Sequence, residues 1–217
     1  MRDDGYTVKV FRSDFKNPGV LENNSVTCIT EDSEGKIWFG TKRGVYILSK
    51  TDYEIRALAD ETIKSWTITT MTATSDGMIW ISTNRHLFRY NASGERAGKY
   101  ILTWKGQENT VNSIYEDKKK KVWVTQAKGG LFCYDKVKDS FISYPWPYEE
   151  YPTSMTEDHN TRIIGLLLGE KVLYVLIPRH RIQTKCLDCK QWIMRLLTPI
   201  PESFIISYKI LLRDICG

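Results

Sequence analysis

Histidine is scarce in this chain: His86, His159 and His180 are the only three among 217 residues. They stand in strand, turn and tail contexts. No Ser/His/Asp arrangement and no His/Cys/Asp/Glu cluster with metal-ligand spacing accompanies them, so no catalytic residue, metal or cofactor is expected. The five cysteines are irregularly spaced, which speaks for free thiols rather than a disulfide framework. Cys28 and Cys133 read as small strand residues. Cys186-Leu187-Asp188-Cys189 is a lone Cys-x-x-Cys without a second pair, and zinc needs four ligands. A long hydrophobic run is also missing. Ile163 to Ile177 covers only 15 positions and contains Glu170 and Lys171, short of the ~20 residues that span a bilayer. Met1 is followed by charged, strand-like residues with no basic n-region and apolar h-region. No signal peptide is therefore expected, and the chain as it stands would be cytoplasmic.

A surplus of one charge is absent from most of the chain. Residues 1–160 hold 22 Lys+Arg and 22 Asp+Glu, whereas 161–217 hold 9 and 4. The formal net charge of +5 therefore sits entirely in the last quarter. A basic chain can indicate nucleic acid, but a surplus confined to one end removes that argument, and no nucleic-acid partner is expected. The Lys118–Lys121 run reads as a solvated turn.

What the chain does have is repetition. Asn24 to Thr41, Ser65 to Thr83 and Asn109 to Thr125 follow one pattern, and Trp38, Trp80 and Trp123 stand 42 and 43 positions apart. Val26, Cys28 and Thr30 alternate with Thr27, Ile29 and Glu31, the two-residue period of a strand. Asp32-Ser33-Glu34-Gly35 carries turn chemistry. Lys36 to Thr41 is a second strand, Val45 to Leu48 a third, and Tyr53 to Leu58 a weaker fourth. The third copy repeats this order, with its turn at Asp117 to Lys120 and strands at Lys121–Thr125, Gly130–Asp135 and Ser140–Tyr144. The second departs from it: Thr74 replaces the turn-opening Asp, and Asn84-Arg85-His86 replaces the glycine before the third strand.

Four short strands per ~40–45 residues mark a β-propeller blade. The expected fold is all-β, an incomplete β-propeller of about three four-stranded antiparallel blades plus partial ones, with an irregular C-terminal tail. Blades are placed at about 13–59, 60–103 and 104–150, with a further one starting at 151–160. The repeated Trp at mid-strand reads as packing between neighbouring sheets, where its ring covers a large apolar area.

These residues resemble a known family. Asn-Asn-Ser-Val…Glu-Asp-x-x-Gly-x-Ile-Trp-Phe-Gly-Thr and Gly-Gly-Leu-Phe-x-Tyr-Asp are similar to the two-component regulator propeller repeat. Asp4 to Phe11 resembles the outer strand that closes that family's first blade. The resemblance covers roughly residues 4–160. It implies the periplasmic sensor half of a hybrid histidine kinase, many of which respond to polysaccharide breakdown products, with a carbohydrate-like small ligand as partner of the parent protein. The kinase and receiver segments themselves are not visible, so the chain is expected to be non-catalytic.

After Asn160 the pattern stops. Ser154 to Asp158 matches Ser113 to Asp117, and then residues 161–217 form a non-repeat tail crowded with Ile and Leu and devoid of Asn. Back-translating Arg162 to Val172 and shifting the frame allows Asp-Asn-Trp-Ala-Ser-Thr-Trp-Gly-Glu-Gly-Phe, close to the missing half of the repeat. A frameshift near Thr161 is the expected origin of the tail.

Propeller connections between fourth and first strands, and between second and third, line one mouth of the channel. The first kind includes Thr103–Asn109 and 145–152. The second includes Lys42-Arg43, Asn84-Arg85 and Lys128-Gly129. The candidate ligand-binding residues are Arg43, Arg85, Trp146 and Tyr148, because aromatic rings beside arginines suit stacking on sugar faces and hydrogen bonding to hydroxyls. The competing reading of Trp146 is packing in a proline-stiffened loop. Two other functions remain open: a propeller enzyme resembling lyases, and a scaffold that self-associates through open blade edges. Three blades do not close a ring, and uncovered repeat sides need caps or neighbours. The isolated chain is thus expected to be poorly soluble or only partly ordered.

Overall fold

The computed structural model describes residues 21–144 and 152–157, together with the backbone of 164–168, 171–176 and 183–187. The chain divides into two units, Met1–Tyr151 and Pro152–Gly217. In the first unit, β1 (Val26–Glu31), β2 (Ile37–Thr41), β3 (Val45–Leu48) and β4 (Ile55–Ala57) form one antiparallel sheet in chain order. A four-residue helix, α1 (Glu61–Lys64), leads to the second sheet: β5 (Ile68–Ala73), β6 (Ile79–Thr83), β7 (Leu87–Tyr90) and β8 (Arg96–Tyr100). A hairpin of two-residue strands, β9 (Thr103–Trp104) and β10 (Gln107–Glu108), leads to the third: β11 (Val111–Glu116), β12 (Val122–Gln126), β13 (Leu131–Asp135) and β14 (Ser140–Tyr144). Among the described residues of this unit the three four-stranded sheets are separate from one another. In the second unit, β15 (Ser154–Glu157), β16 (Ile164–Leu168), β17 (Lys171–Leu176) and β18 (Gln183–Leu187) pair in the same order. Strand pairing thus continues through residues whose sequence lacks the repeat.

The first strand of each repeat carries the same irregularity. Pairing with the second strand slips between Val26 and Cys28, between Ile68 and Thr70, and between Val111 and Ser113. Thr27, Thr69 and Asn112 are the extra residues, 42 and 43 positions apart like the tryptophans. Each is a β-bulge, which re-aims the side chains that flank it. The Thr27 hydroxyl donates to the Gly40 carbonyl at 3.1 Å, and Thr69 donates to Ser82 at 3.3 Å.

Alternation along the second strand builds the core. Trp38 faces the second sheet and packs with Ile68, Met71, Ile79, Ile81 and Phe88. Trp80 faces the third and packs with Val111, Ile114, Val122, Val124 and Phe132. Each tryptophan thus points forward, while the aliphatic residues beside it point back. Trp38, Trp80 and Trp123 are 0%, 1% and 1% exposed, which agrees with the packing reading. Gly40 keeps this seam closed: a Cβ there would meet Ile68 Cγ2 at 2.5 Å and Cys28 Sγ at 2.7 Å.

The turn after the first strand explains why Asp and Trp travel together. Asp32 Oδ1 accepts the backbone N–H of Glu34 and of Lys36, both at 2.9 Å, and Oδ2 accepts the Trp38 indole N–H at 2.7 Å. Asp117 repeats this with Lys119 at 2.8 Å, Lys121 at 2.9 Å and Trp123 at 2.9 Å. A buried indole N–H needs such a partner. In the second sheet Thr74 occupies the position, and its hydroxyl instead donates to Asp76 at 2.8 Å.

Candidate functional site

The strands β1, β5 and β11 begin at one end of the sheets, and the turns β2–β3, β6–β7 and β12–β13 lie at that same end. Their backbone is held by side chains at the strand ends. Thr41 Oγ1 accepts the Arg43 N–H at 2.9 Å and donates to the Arg43 carbonyl at 2.8 Å. Thr83 Oγ1 accepts the His86 N–H at 3.0 Å. Gln126 stands at the in-phase position of the third sheet. Its side-chain amide donates to the Leu102 and Asn109 carbonyls at 2.9 and 3.0 Å, tying down the connection that precedes β11.

The first two of these turns are also fastened to the connection entering the next sheet. Gly44 N–H donates to the Trp66 carbonyl at 3.1 Å, and the Thr67 hydroxyl donates to the Lys42 carbonyl at 3.3 Å. The Thr110 hydroxyl donates to Asn84 at 3.4 Å. The rim is therefore a hydrogen-bonded surface rather than a set of independent loops. In the connection before β5, Asp60 caps α1 by accepting the Thr62 N–H at 2.9 Å, and it accepts the Tyr90 hydroxyl at 2.8 Å. Burial works to raise the Asp60 carboxyl, but the hydrogen bonds from Tyr90 and Thr62 overcome it and hold it below the usual carboxylate range.

On this rim Arg43 and Arg85 are exposed, each in the β2–β3 type of turn of successive sheets. Between these two turns the Trp66 ring meets the His86 imidazole edge-on, centroids 5.5 Å apart, and His86 leans on Phe88 at 5.8 Å. Burial, then the nearby Lys99 ammonium, lower the His86 pKa and so favour the uncharged imidazole. Its Nδ1 is buried without a hydrogen-bond partner. Two guanidinium groups, an indole and an imidazole thus share one fastened surface, able to donate hydrogen bonds and to present an aromatic face. Among the described residues no group of three or more His, Cys, Asp and Glu could hold a metal. Trp146 and Tyr148 lie outside the described residues. Trp66 and Gln126 were not anticipated: Trp66 lies outside the repeating Trp position, and Gln126 replaces the Thr that the other two sheets carry at that place. The nearest signal is that Trp66 precedes the apolar start of β5.

A second cluster joins sheets two and three. The Arg89 guanidinium lies over Trp80, Tyr100 and Tyr134, 5.5, 5.9 and 5.1 Å from their ring centroids. It hydrogen-bonds Tyr134 and pairs with Asp139 at 3.2 Å. Tyr100 and Tyr134 hydroxyls both donate to Asp139 Oδ1 at 2.6 Å. The cage is filled by the chain's own cation, so its role is to lock the seam.

Residues 20–43 match the sequence family described as Two component regulator propeller, and the chain carries that repeat. No curated protein sequence matches the chain. Among solved structures, the chain is similar to the extracellular domain described as that of the hybrid two component system BT4673 from B. thetaiotaomicron. The TM-score is 0.63 at 20% identity over 76% of this chain and 22% of that one. The corresponding domain of BT3049 from the same organism gives 0.61 at 19% identity, over 78% and 24%. Virginiamycin B lyase from Staphylococcus aureus gives 0.62 at 15% identity, over 78% and 58%. At these identities the likeness is one of fold. The chain spans about a fifth to under two thirds of the length of these structures. Among the described residues no helix is long and apolar enough to cross a membrane.

Proposed function

We propose that this chain is part of a ligand-sensing propeller of a hybrid two-component system, recognising an oligosaccharide or a similar hydroxyl-rich ligand at the rim described above. The observation that carries the reading is the placement of Arg43 and Arg85 on equivalent fastened turns, with Trp66 and His86 between them. Guanidinium donors bind ring hydroxyls, and an aromatic face or edge covers the apolar side of a sugar. The repeat match at residues 20–43 and the fold shared with two extracellular sensor domains support the same class. The sequence reading adds Trp146 and Tyr148 as further candidate ligand contacts. The chain recognises and does not transform its ligand. A histidine kinase of the parent protein carries the signal onward, and the propeller sits on the periplasmic side.

Calorimetric titration of the full chain with a panel of neutral and acidic oligosaccharides tests this. Saturable binding to one class, weakened about tenfold or more by Arg85→Ala, is the expected result. Binding unaffected by both Arg43→Ala and Arg85→Ala places the ligand elsewhere. Mass-spectrometric conversion of a bound ligand to a lighter product would overturn the non-catalytic role.

A further inference from the structure

A basic residue recurs at one place in all three sheets of the first unit. Arg43, Arg85 and Lys128 each follow the buried tryptophan of their sheet by five positions. All three are exposed, in the turn between second and third strands. The backbone beneath them is pinned. Thr41 Oγ1 accepts the Arg43 N–H at 2.9 Å, and Thr83 Oγ1 accepts the Arg85 N–H at 3.3 Å. In the third turn Ala127 N–H donates to the Thr110 carbonyl at 2.8 Å. Three cationic side chains are thus carried at equivalent stations of a fixed rim.

Charge on this rim is one-sided, although residues 1–160 as a whole hold 22 Lys+Arg and 22 Asp+Glu. Among the described residues Arg43, Arg85 and Lys128 have no ion-pair partner, and neither do Lys42 and Lys105 beside them. The carboxylates of the connections entering the sheets are mostly engaged. Glu22 and Glu61 share Lys64 at 3.8 and 3.7 Å, and Asp60 meets Arg96 at 3.2 Å. That leaves Glu108, exposed in the hairpin before β11, as the carboxylate of these described connections without a basic partner. Cations therefore outnumber it along the whole row.

A neutral sugar needs hydrogen-bond donors but not a row of unpaired charges, which repel one another until an anion arrives. Charges of one sign gathered on one surface raise the local concentration of the opposite ion. The planar guanidinium fork, present at two of the three stations, fits a carboxylate or a sulfate with two parallel hydrogen bonds. One cation per sheet further suits a ligand that carries an anionic group at repeated steps along its length. We infer that the ligand of this rim is an acidic oligosaccharide, bearing carboxylate or sulfate groups on more than one ring, which Arg43, Arg85 and Lys128 engage in turn. This rests on the ligand reading above and narrows its chemistry.

Calorimetric titration of the full chain with oligouronates, sulfated oligosaccharides and the carboxyl-reduced or desulfated form of each tests the inference, with neutral oligosaccharides run beside them. At least one acidic oligosaccharide is expected to bind about tenfold or more tightly than its neutralised form. Whichever treatment removes the binding names the anionic group. Raising the salt from about 50 to about 500 mM weakens that binding, because exposed charges are screened. Lys128→Gln weakens the acidic ligand and not its neutralised form, while Lys128→Arg keeps the affinity. A neutral oligosaccharide bound as tightly as any acidic one, and weakened by Arg85→Ala, overturns the acidic assignment and leaves the rim reading standing. Acidic binding that neither salt nor Lys128→Gln alters also overturns it. Failure of every acidic and neutral oligosaccharide to bind overturns both.

Discussion

The Trp38 indole N–H donates to the Asp32 carboxylate at 2.7 Å, and through it one side chain holds both a turn and the seam to the next sheet. Asp32 gathers three donors in all, two of them turn amides. Asp32→Ala leaves the buried indole N–H without its acceptor and frees the turn. The expected loss is ~2–4 kcal/mol, since an unsatisfied buried group costs ~1–3 kcal/mol by itself. Urea denaturation measures it, and Asp32→Asn, which keeps one acceptor oxygen, is expected to lose less.

The same turn holds a residue at positive φ in each sheet: Gly35 at 79°, Gly77 at 80° and Lys120 at 63°. The first two are free of a Cβ penalty; the third is not. Lys120→Gly is expected to stabilise the protein by about 0.5–1 kcal/mol, the relief of the left-handed conformation exceeding the added flexibility of the unfolded chain. Gly35→Ala shifts the denaturation midpoint the other way.

Gly40→Ala tests the first seam. Its Cβ would fall within 2.7 Å of Ile68 Cβ and Cys28 Sγ, and overpacking of this kind costs ~1–3 kcal/mol. In an Ile68→Ala background, which removes the clashing Cγ2, the added cost of Gly40→Ala is expected to be smaller. A double-mutant cycle by chemical denaturation gives the coupling.

Acid stability reads the Arg89 cage. Hydrogen bonds from Tyr100, then Tyr134, hold the Asp139 carboxyl below its ordinary range. A folded carboxyl that titrates lower than the unfolded one contributes stability that is complete above the unfolded pKa of ~3.9 and is lost as pH falls through the folded value. Asp139→Asn therefore removes part of the pH dependence below pH ~4, while above pH ~5 it differs from wild type by a constant amount. Denaturation midpoints from pH 2.5 to 7 check this.

Much of the architecture was legible in the chain because it is local. The alternation of Val45 to Leu48, the turn residues around Gly35 and the 42- and 43-residue steps between tryptophans each specify a strand, a turn or a phase without any distant partner. The connections were less legible. Residues 61–64 form a helical turn capped by Asp60, and Thr103–Glu108 form a hairpin through positive φ at Lys105 and Gly106. Both are too short for periodicity to announce them. The turn positions of Arg43 and Arg85 followed from their places in the repeat. The Trp66–His86 contact did not, since it joins residues 20 apart whose meeting depends on how two sheets pack.

Sequence alone determined the repeating unit and its phase, because hydrogen-bonded hairpins and turns are governed by neighbours along the chain. Only the tertiary structure decided the fate of each in-phase residue: Ile29, Met71 and Ile114 occupy the same place in their strands, yet one is exposed and two are buried. Burial depends on what lies across the seam, and no strand encodes its neighbour's surface.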